Sequence, residues 1–123
     1  MILVDTSVWV DHLRARDRTL VQLLDTGQVL THPFVIGELA LGTLRRRRLI
    51  LGTLAVLPQA VAASHHEVMH FIDRHRLFGI GIGYVDVHLL AATRLTSAAT
   101  LWTRDKRLRD AADQLALAAY PQP

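Results

Sequence analysis

The fold is decided by the stretch Met1-Ile2-Leu3-Val4-Asp5-Thr6-Ser7-Val8-Trp9-Val10-Asp11-His12-Leu13. Its apolar run, Ile2 to Val4, is too short for a helix and rich in β-branched residues, which predicts a central strand buried on both faces of a sheet. Asp5 ends the run, and Thr6 or Ser7 is expected to cap the helix that follows. An acid at the carboxyl end of a buried parallel strand lies where open α/β sheets bind ligands, although a helix cap explains an isolated Asp5 equally well.

Short apolar segments alternate with helical patterns along the rest of the chain. Further strands are expected at residues 29–30, 100–103 and 117–120. Helices are expected at 20–24, from Pro33, from Leu49, from the Ser64–Glu67 capping box to Gly79, at 84–95 and at 105–115. Residues 56–63 are irregular or a short strand, and 79–83 form a turn. Helical patterns between strands predict βαβ units, so we expect one domain over residues 1–123, an α/β fold with a mainly parallel sheet.

The composition excludes several classes of protein. With 123 residues, half of them apolar, the chain is long enough to bury a core and is not expected to be disordered. It contains no cysteine, which excludes disulfides and thiolate metal sites and fits a cytoplasmic protein. No basic region precedes the first apolar run, so no secretory signal is expected. The longest uncharged stretch, 49–64, is broken by glycine and proline, so no membrane span is expected.

The cations favour an anionic partner. Fourteen Lys and Arg oppose eleven Asp and Glu, and all but Lys106 of these cations are arginine. Arginine prefers planar, bidentate contact with phosphate, although a bias toward arginine codons gives the same composition. The run Arg45 to Arg48 is best interpreted as a solvated helix end, and phosphate contact is the alternative.

Four acids stand where a purely structural role is hard to assign: Asp5, Glu38, Asp86 and Asp105. Asp5 and Asp105 follow apolar strands, whereas Glu38 and Asp86 share helix faces with apolar residues three or four positions away. A cap or an arginine partner explains each one alone. If all four meet, however, their mutual repulsion would drive protonation unless a divalent cation lies among them. Oxygen ligands without His or Cys indicate Mg²⁺ or Mn²⁺, with Asp5 and Asp86 as direct ligands and Glu38 and Asp105 acting largely through water.

The histidines and tryptophans offer weaker candidates. His66 and His70 lie one helical turn apart, but no third metal ligand is evident, so a surface helix is the better interpretation. His88 is expected to pack or to form a hydrogen bond. Trp9 and Trp102 lie in apolar segments and are expected in the core or in dimer contacts.

Four motifs occur in an order that is specific as a set: Asp5-Thr6-Ser7, Ile36-Gly37-Glu38-Leu39, Gly83-Tyr84-Val85-Asp86-Val87-His88-Leu89-Leu90-Ala91 and Leu101-Trp102-Thr103-Arg104-Asp105. Over nearly the whole chain this order resembles the PIN domain, and more narrowly the VapC-type toxins of bacterial toxin–antitoxin pairs. The resemblance implies a three-layer α/β/α sandwich, a metal-dependent endoribonuclease, inhibition by a VapB-type antitoxin, and a homodimer. Arg107 departs from the pattern, since many relatives carry a further acid there.

The resemblance also implies a reaction. Metal held by Asp5 and Asp86 lowers the pKa of a bound water and neutralises charge on the scissile phosphate, while Glu38 or Asp105 orients the water or helps bring a second metal. Hydrolysis would leave a 5′-phosphate and a 3′-hydroxyl. The alternative is a PIN-like module that binds RNA or protein without cleaving. Dehalogenase-like phosphatases and phospho-receivers fit poorly, because the former want an acid at Ser7 and the latter an acidic pair after the first strand.

Overall fold

The chain folds around a short parallel sheet that is covered by helices. The structure, a computed structural model, describes residues 1–122. Its strands are β1 (Ile2–Val4), β2 (Val29–Leu30) and β3 (Thr100–Trp102). Its helices are α1 (Thr6–Arg14), α2 (Arg18–Asp25), α3 (Pro33–Ala40), α4 (Arg47–Val56), α5 (His65–His75), α6 (Tyr84–Leu95) and α7 (Lys106–Gln114).

β1 is the central strand, as its apolar sequence predicts. The strand order is β2-β1-β3, and both pairings of β1 are parallel. Leu3 and Val4 are 0% exposed, because a central strand of a parallel sheet is covered on both faces. The register places Val4 opposite Trp102, so the residues that follow β1 and β3 emerge side by side.

The prediction of a regular strand at 117–120 is wrong. Within the described residues, Ala118 forms an isolated parallel bridge with Leu101. Backbone bonds from Leu101 N to Leu117 O and from Ala119 N to Leu101 O hold this segment beside β3. At the other edge, Gln59 forms a similar bridge with Thr31, so 56–63 contains a single bridge rather than a strand. The sheet is therefore extended on both sides by irregular chain.

The helices form the outer layers of a three-layer α/β/α arrangement. α6 packs against β3 and α5 against α6, whereas α3 contacts both α1 and α4. The core is continuous through these contacts. Its largest fully buried side chains include Leu3, Leu20, Leu54, Leu89, Leu90, Leu101 and Leu108. The predicted α/β class and the mainly parallel sheet are thus confirmed.

Local capping signals fix several helix ends. Both halves of the Ser64–Glu67 capping box are present at the start of α5, and α6 has the predicted bounds. At α1 the sequence left open whether Asp5, Thr6 or Ser7 caps the helix, and Asp5 does so. One predicted end is wrong, since α5 ends at His75 rather than near Gly79. Arg76 ends α5 because it adopts a left-handed conformation, with φ of 53°, and donates its N–H back to Asp73 O.

Among residues 1–122, no helix is both long and apolar enough to cross a bilayer.

Candidate active site

Asp5 is the buried acid at the centre of the sheet edge. Its side chain follows β1 and is 6% exposed. One oxygen, Oδ2, accepts hydrogen bonds from Ser7 Oγ at 2.7 Å and Thr103 Oγ1 at 2.7 Å, and a longer one from Ser7 N at 3.4 Å. Burial of a carboxylate is costly unless such bonds replace water. The two hydroxyls therefore fix both the place and the orientation of Asp5.

Asp105 is joined to Asp5 through Thr103. The hydroxyl of Thr103 donates to Asp5 and accepts from Asp105 N at 3.1 Å. Asp105 also caps α7, since its Oδ1 accepts from Leu108 N at 3.0 Å. The parallel register of β1 and β3 is what brings these two strand-end acids to one edge.

Asp86 lies in the first turn of α6 and is only partly exposed. Its Oδ2 accepts from Gly83 N at 3.0 Å. Burial raises the pKa of Asp86; the Gly83 bond opposes this rise, and the negative charges of Asp5, Asp105 and Glu38 add to it. The four predicted acids therefore lie within electrostatic range of one another.

Glu38 reaches this edge from α3 on an exposed side chain. Its Oε1 accepts from Thr6 Oγ1 at 2.7 Å, which ties α3 to the start of α1. The prediction that Glu38 points along the buried stripe of its helix is wrong. Val35 and Leu39 form the buried side of α3, whereas Leu41 is 90% exposed, so Glu38 lies beside the stripe and faces solvent.

The four carboxylates share one feature: each has one oxygen hydrogen-bonded to the protein and another without such a bond within residues 1–122. The bonded atoms are Asp5 Oδ2, Glu38 Oε1, Asp86 Oδ2 and Asp105 Oδ1. Four second oxygens remain for a ligand, and hard oxygen donors are the set that Mg²⁺ and Mn²⁺ prefer.

The four carboxylates suit a divalent cation by their chemistry but not by their present arrangement. The chemistry of the set fits a hard divalent cation. In the described part of the chain, however, no three or more Asp, Glu, His or Cys side chains are arranged closely enough to hold an ion as they stand. Glu38 and Asp105 are exposed and have room to rotate. Direct coordination by Asp5 and Asp86 remains a prediction.

The sequence suggested Ser7 only as a possible helix cap, and it did not reveal that Ser7 and Thr103 both bind Asp5. The signal is symmetric in the two strand-end motifs. Asp5 is followed two residues later by a hydroxyl, and Asp105 is preceded two residues earlier by one. A parallel register that pairs β1 with β3 points both hydroxyls to the same carboxylate.

The two tryptophans lie in the core, which is one of their two predicted places. Trp9 is 5% exposed and Trp102 is 9% exposed, as expected of core residues. His88 is also buried, and its ring packs edge-on against Phe34 and Tyr84 with centroid distances of 4.6 Å. It packs, as predicted, rather than standing in the acid cluster.

The remaining candidates do not join the acids. His66 and His70 are exposed and line a cavity of about 320 Å³ between α5 and α6, away from the sheet edge. Arg45 to Arg48 are all exposed, and Arg47 Nη1 donates to Ala40 O at 2.6 Å. Arg45 lines a groove of about 670 Å³ that Glu38 also lines. Most of this run is solvated, and one end of it borders the acid cluster.

The sheet, the helical layers and the strand-end acids define a class of protein. A model of the PIN domain family matches residues 2–114, and the chain belongs to that family. Within it, the chain is 51% identical over 111 residues to Ribonuclease VapC32 of Mycobacterium tuberculosis, in both strain CDC 1551 / Oshkosh and strain ATCC 25618 / H37Rv, covering 90% of each chain. It is therefore a VapC-type PIN domain.

Two solved structures share the fold. A chain of FitAB bound to an IR36 DNA fragment matches with a TM-score of 0.64 and 19% identity, covering 98% of this chain and 94% of the other. A chain of FitAcB from Neisseria gonorrhoeae matches with a TM-score of 0.60 and 21% identity, covering 92% and 94%. At these identities the likeness concerns the fold alone.

Proposed function

We propose that this protein is a metal-dependent endoribonuclease and the toxin of a toxin–antitoxin pair. The observation that carries the proposal is the group of four acids at the end of β1, β3 and the adjoining helices, each with one oxygen left unbonded within residues 1–122. A structural role accounts for the bonded oxygens, which cap helices or hold neighbouring segments together. It does not account for the mutual proximity of Asp5, Asp86, Asp105 and Glu38, whose charges act on one another. Similarity to proteins named ribonuclease supports the same activity.

Each acid has a role that follows from its position. Asp5 and Asp86 are the most enclosed of the four and would hold a Mg²⁺ or Mn²⁺ ion. Such an ion supplies a more acidic water and neutralises charge on the scissile phosphate. Asp105 and Glu38 are exposed carboxylates at the same edge, suited to accepting a hydrogen bond from the attacking water and orienting it toward phosphorus.

The hydroxyls of Ser7 and Thr103 prepare Asp5 for this role. They hold Oδ2, so the free oxygen Oδ1 has a fixed position without any reorganisation when substrate arrives. Attack of water on the phosphodiester breaks the bond to the 3′ oxygen, which leaves with a proton. The products are a 5′-phosphate and a 3′-hydroxyl.

The proposed partners are RNA, a VapB-type antitoxin and a second copy of the chain, in the cytoplasm. An excess of cations, almost all arginine, suits an RNA backbone. A toxin of this class requires an antitoxin, so expression alone should arrest growth, and a small protein from the neighbouring reading frame should relieve the arrest.

The activity is tested with purified protein and RNA, with and without Mg²⁺ or Mn²⁺. We expect cleavage that requires metal and falls about 100-fold or more in Asp5→Asn and in Asp86→Asn, because each change removes a charged ligand while keeping the side-chain shape. Asp110→Asn is the matched control, since Asp110 is an exposed acid on α7 outside the cluster. RNA binding without cleavage by the unaltered protein would establish the non-catalytic alternative instead.

A further inference from the structure

Arg107 is a cation without a bonded partner among residues 1–122. It is exposed and lies in the first turn of α7. In the described residues both ion pairs belong to Arg104, and Arg107 forms neither an ion pair nor a side-chain hydrogen bond. The neighbouring acid, Asp105, caps α7 through a bond from Leu108 N and is not bonded to Arg107. The charge of Arg107 therefore has no partner among residues 1–122.

The Arg107 side chain packs against the loop that precedes α6. A Cβ added at Gly81 would lie 2.5 Å from Arg107 Nη1 and 3.0 Å from its Cδ and Cζ. The guanidinium and its stem therefore lie directly against the Gly81 backbone. Gly81 has φ of +82°, so this loop needs glycine both for its backbone conformation and for the room that it leaves for Arg107.

This contact brings the Arg107 guanidinium to the loop that precedes Asp86. Arg107 follows Asp105 by two residues, and Gly81 precedes by two residues the Gly83 whose N–H binds Asp86. The charge of Arg107 is not used on either carboxylate, because neither forms an ion pair with it. A positive group thus lies against the loop that leads to Asp86 and two residues after Asp105, and it forms an ion pair with neither within residues 1–122.

We propose that Arg107, laid across Gly81, binds a phosphate of the RNA backbone next to the phosphodiester that is cut. This inference rests on the proposed function, since it assigns a second substrate contact to the same site. A guanidinium fits a phosphate through two parallel N–H bonds, and the exposed Arg107 guanidinium has its donors free of other bonds within residues 1–122. Arg107 is a substrate-binding residue in this account and holds neither the metal nor the water.

The test is the salt dependence of RNA binding, measured in EDTA by fluorescence anisotropy with a labelled single-stranded RNA. A single phosphate contact to single-stranded RNA contributes about 0.7 to the slope of log affinity against log salt. Arg107→Gln should lower the slope by about that amount and weaken binding about threefold near 100 mM salt. Arg109→Gln removes the same charge from the same helix and should change the slope much less.

Gly81→Ala provides a second variant that leaves the charge unchanged. It should weaken RNA binding in the unaltered protein by displacing Arg107, and should have little further effect in the Arg107→Gln background. Such non-additivity is the mark of two residues that act together. Thermal unfolding of each variant separates this effect from loss of folding.

Equal slopes for Arg107→Gln and Arg109→Gln would overturn the inference, and so would loss of antitoxin binding with RNA binding unchanged. These outcomes are distinct from failure of the proposed function. RNA binding with the predicted slope change but no cleavage would refute the nuclease and retain the phosphate contact. Cleavage by the unaltered protein, together with an unchanged salt slope in Arg107→Gln, would refute the phosphate contact and retain the nuclease.

Discussion

At the scale of single residues, Asp5 shows how a carboxylate is buried without losing its hydrogen bonds. The carboxylate is nearly enclosed, yet three donors converge on one oxygen while the other has no bond within residues 1–122. Thr103 is ninety-eight residues away in sequence. Sequence alone singled out Asp5 as a candidate site residue. It did not identify the hydroxyl contacts, since those depend on the register of two strands that meet only in the folded chain.

His32 is the second residue with a physical consequence of its own. It is 1% exposed and caps α3, because its Nδ1 accepts from Phe34 N at 3.0 Å. Burial, and to a smaller extent the charge of the nearby His88, lowers the pKa of His32 to about 4. The neutral form is therefore the native one, and the unfolded chain takes up a proton more readily than the folded protein does.

Stability should consequently fall as pH falls through this window. Above the ordinary histidine value of 6.5 both states are neutral at His32, whereas between 6.5 and about 4 only the unfolded state is protonated. We expect about 3 kcal/mol of unfolding free energy to be lost across this range through His32. His32→Asn keeps an N-cap acceptor and removes the titration.

Urea unfolding at several pH values measures this effect. His32→Asn should lose less stability than the unaltered protein between pH 6.5 and 4, although His12, His75 and His88, whose pKa values are also lowered, keep some slope. Parallel pH profiles for the two proteins would show that His32 does not titrate in this range.

At the scale of helices and strands, what could be predicted depended on whether the signal was local. The capping box of α5 and the apolar pattern of α6 are encoded within a few residues, and both were predicted correctly. The end of α5 was not, because Arg76 adopts a left-handed conformation that its sequence does not favour. The segment 117–120 lies beside β3 but pairs with it at a single bridge, so its apolar pattern was mistaken for a full strand.

Arg104 is the link between elements at the active edge. The Arg104 guanidinium forms ion pairs with Asp11 at 2.7 Å and with Asp17 at 2.6 Å. The backbone N–H of Arg104 donates to Ser7 Oγ at 3.0 Å. Asp17 in turn caps α2. The end of β3 is thereby fastened to α1 and to the start of α2, which limits how far the Asp5 and Asp105 edges move apart.

Replacement of Arg104 should cost stability in a salt-dependent way. Arg104→Gln breaks two partly exposed ion pairs, each of small value, and we expect a loss of about 1 kcal/mol at low salt that shrinks in 1 M NaCl. Arg107→Gln, which removes a cation without an ion pair in the described residues, should change unfolding free energy by less than about 0.5 kcal/mol. Equal losses in urea unfolding would contradict the role given to Arg104.

At the scale of the whole molecule, the strand order β2-β1-β3 decides which residues meet, and this order cannot be read from the sequence. It brings the ends of β1 and β3 together, and the packing of the helices brings α3 and α6 to the same edge. The four motifs predicted the family and the kind of chemistry, because the residue types and their order are specific. They did not predict that Glu38 faces solvent or that Arg107 lies on Gly81, because both depend on packing between distant segments.

The central claim is that the free oxygens of the acid cluster gather one or more divalent ions. Calorimetric titration of the purified protein with Mn²⁺ tests it without reference to any RNA. We expect a saturable binding event that Asp5→Asn weakens about tenfold or more, and that Asp110→Asn leaves unchanged. Binding of Mn²⁺ that is equally strong in Asp5→Asn, or no binding to the unaltered protein at millimolar Mn²⁺, would contradict the account.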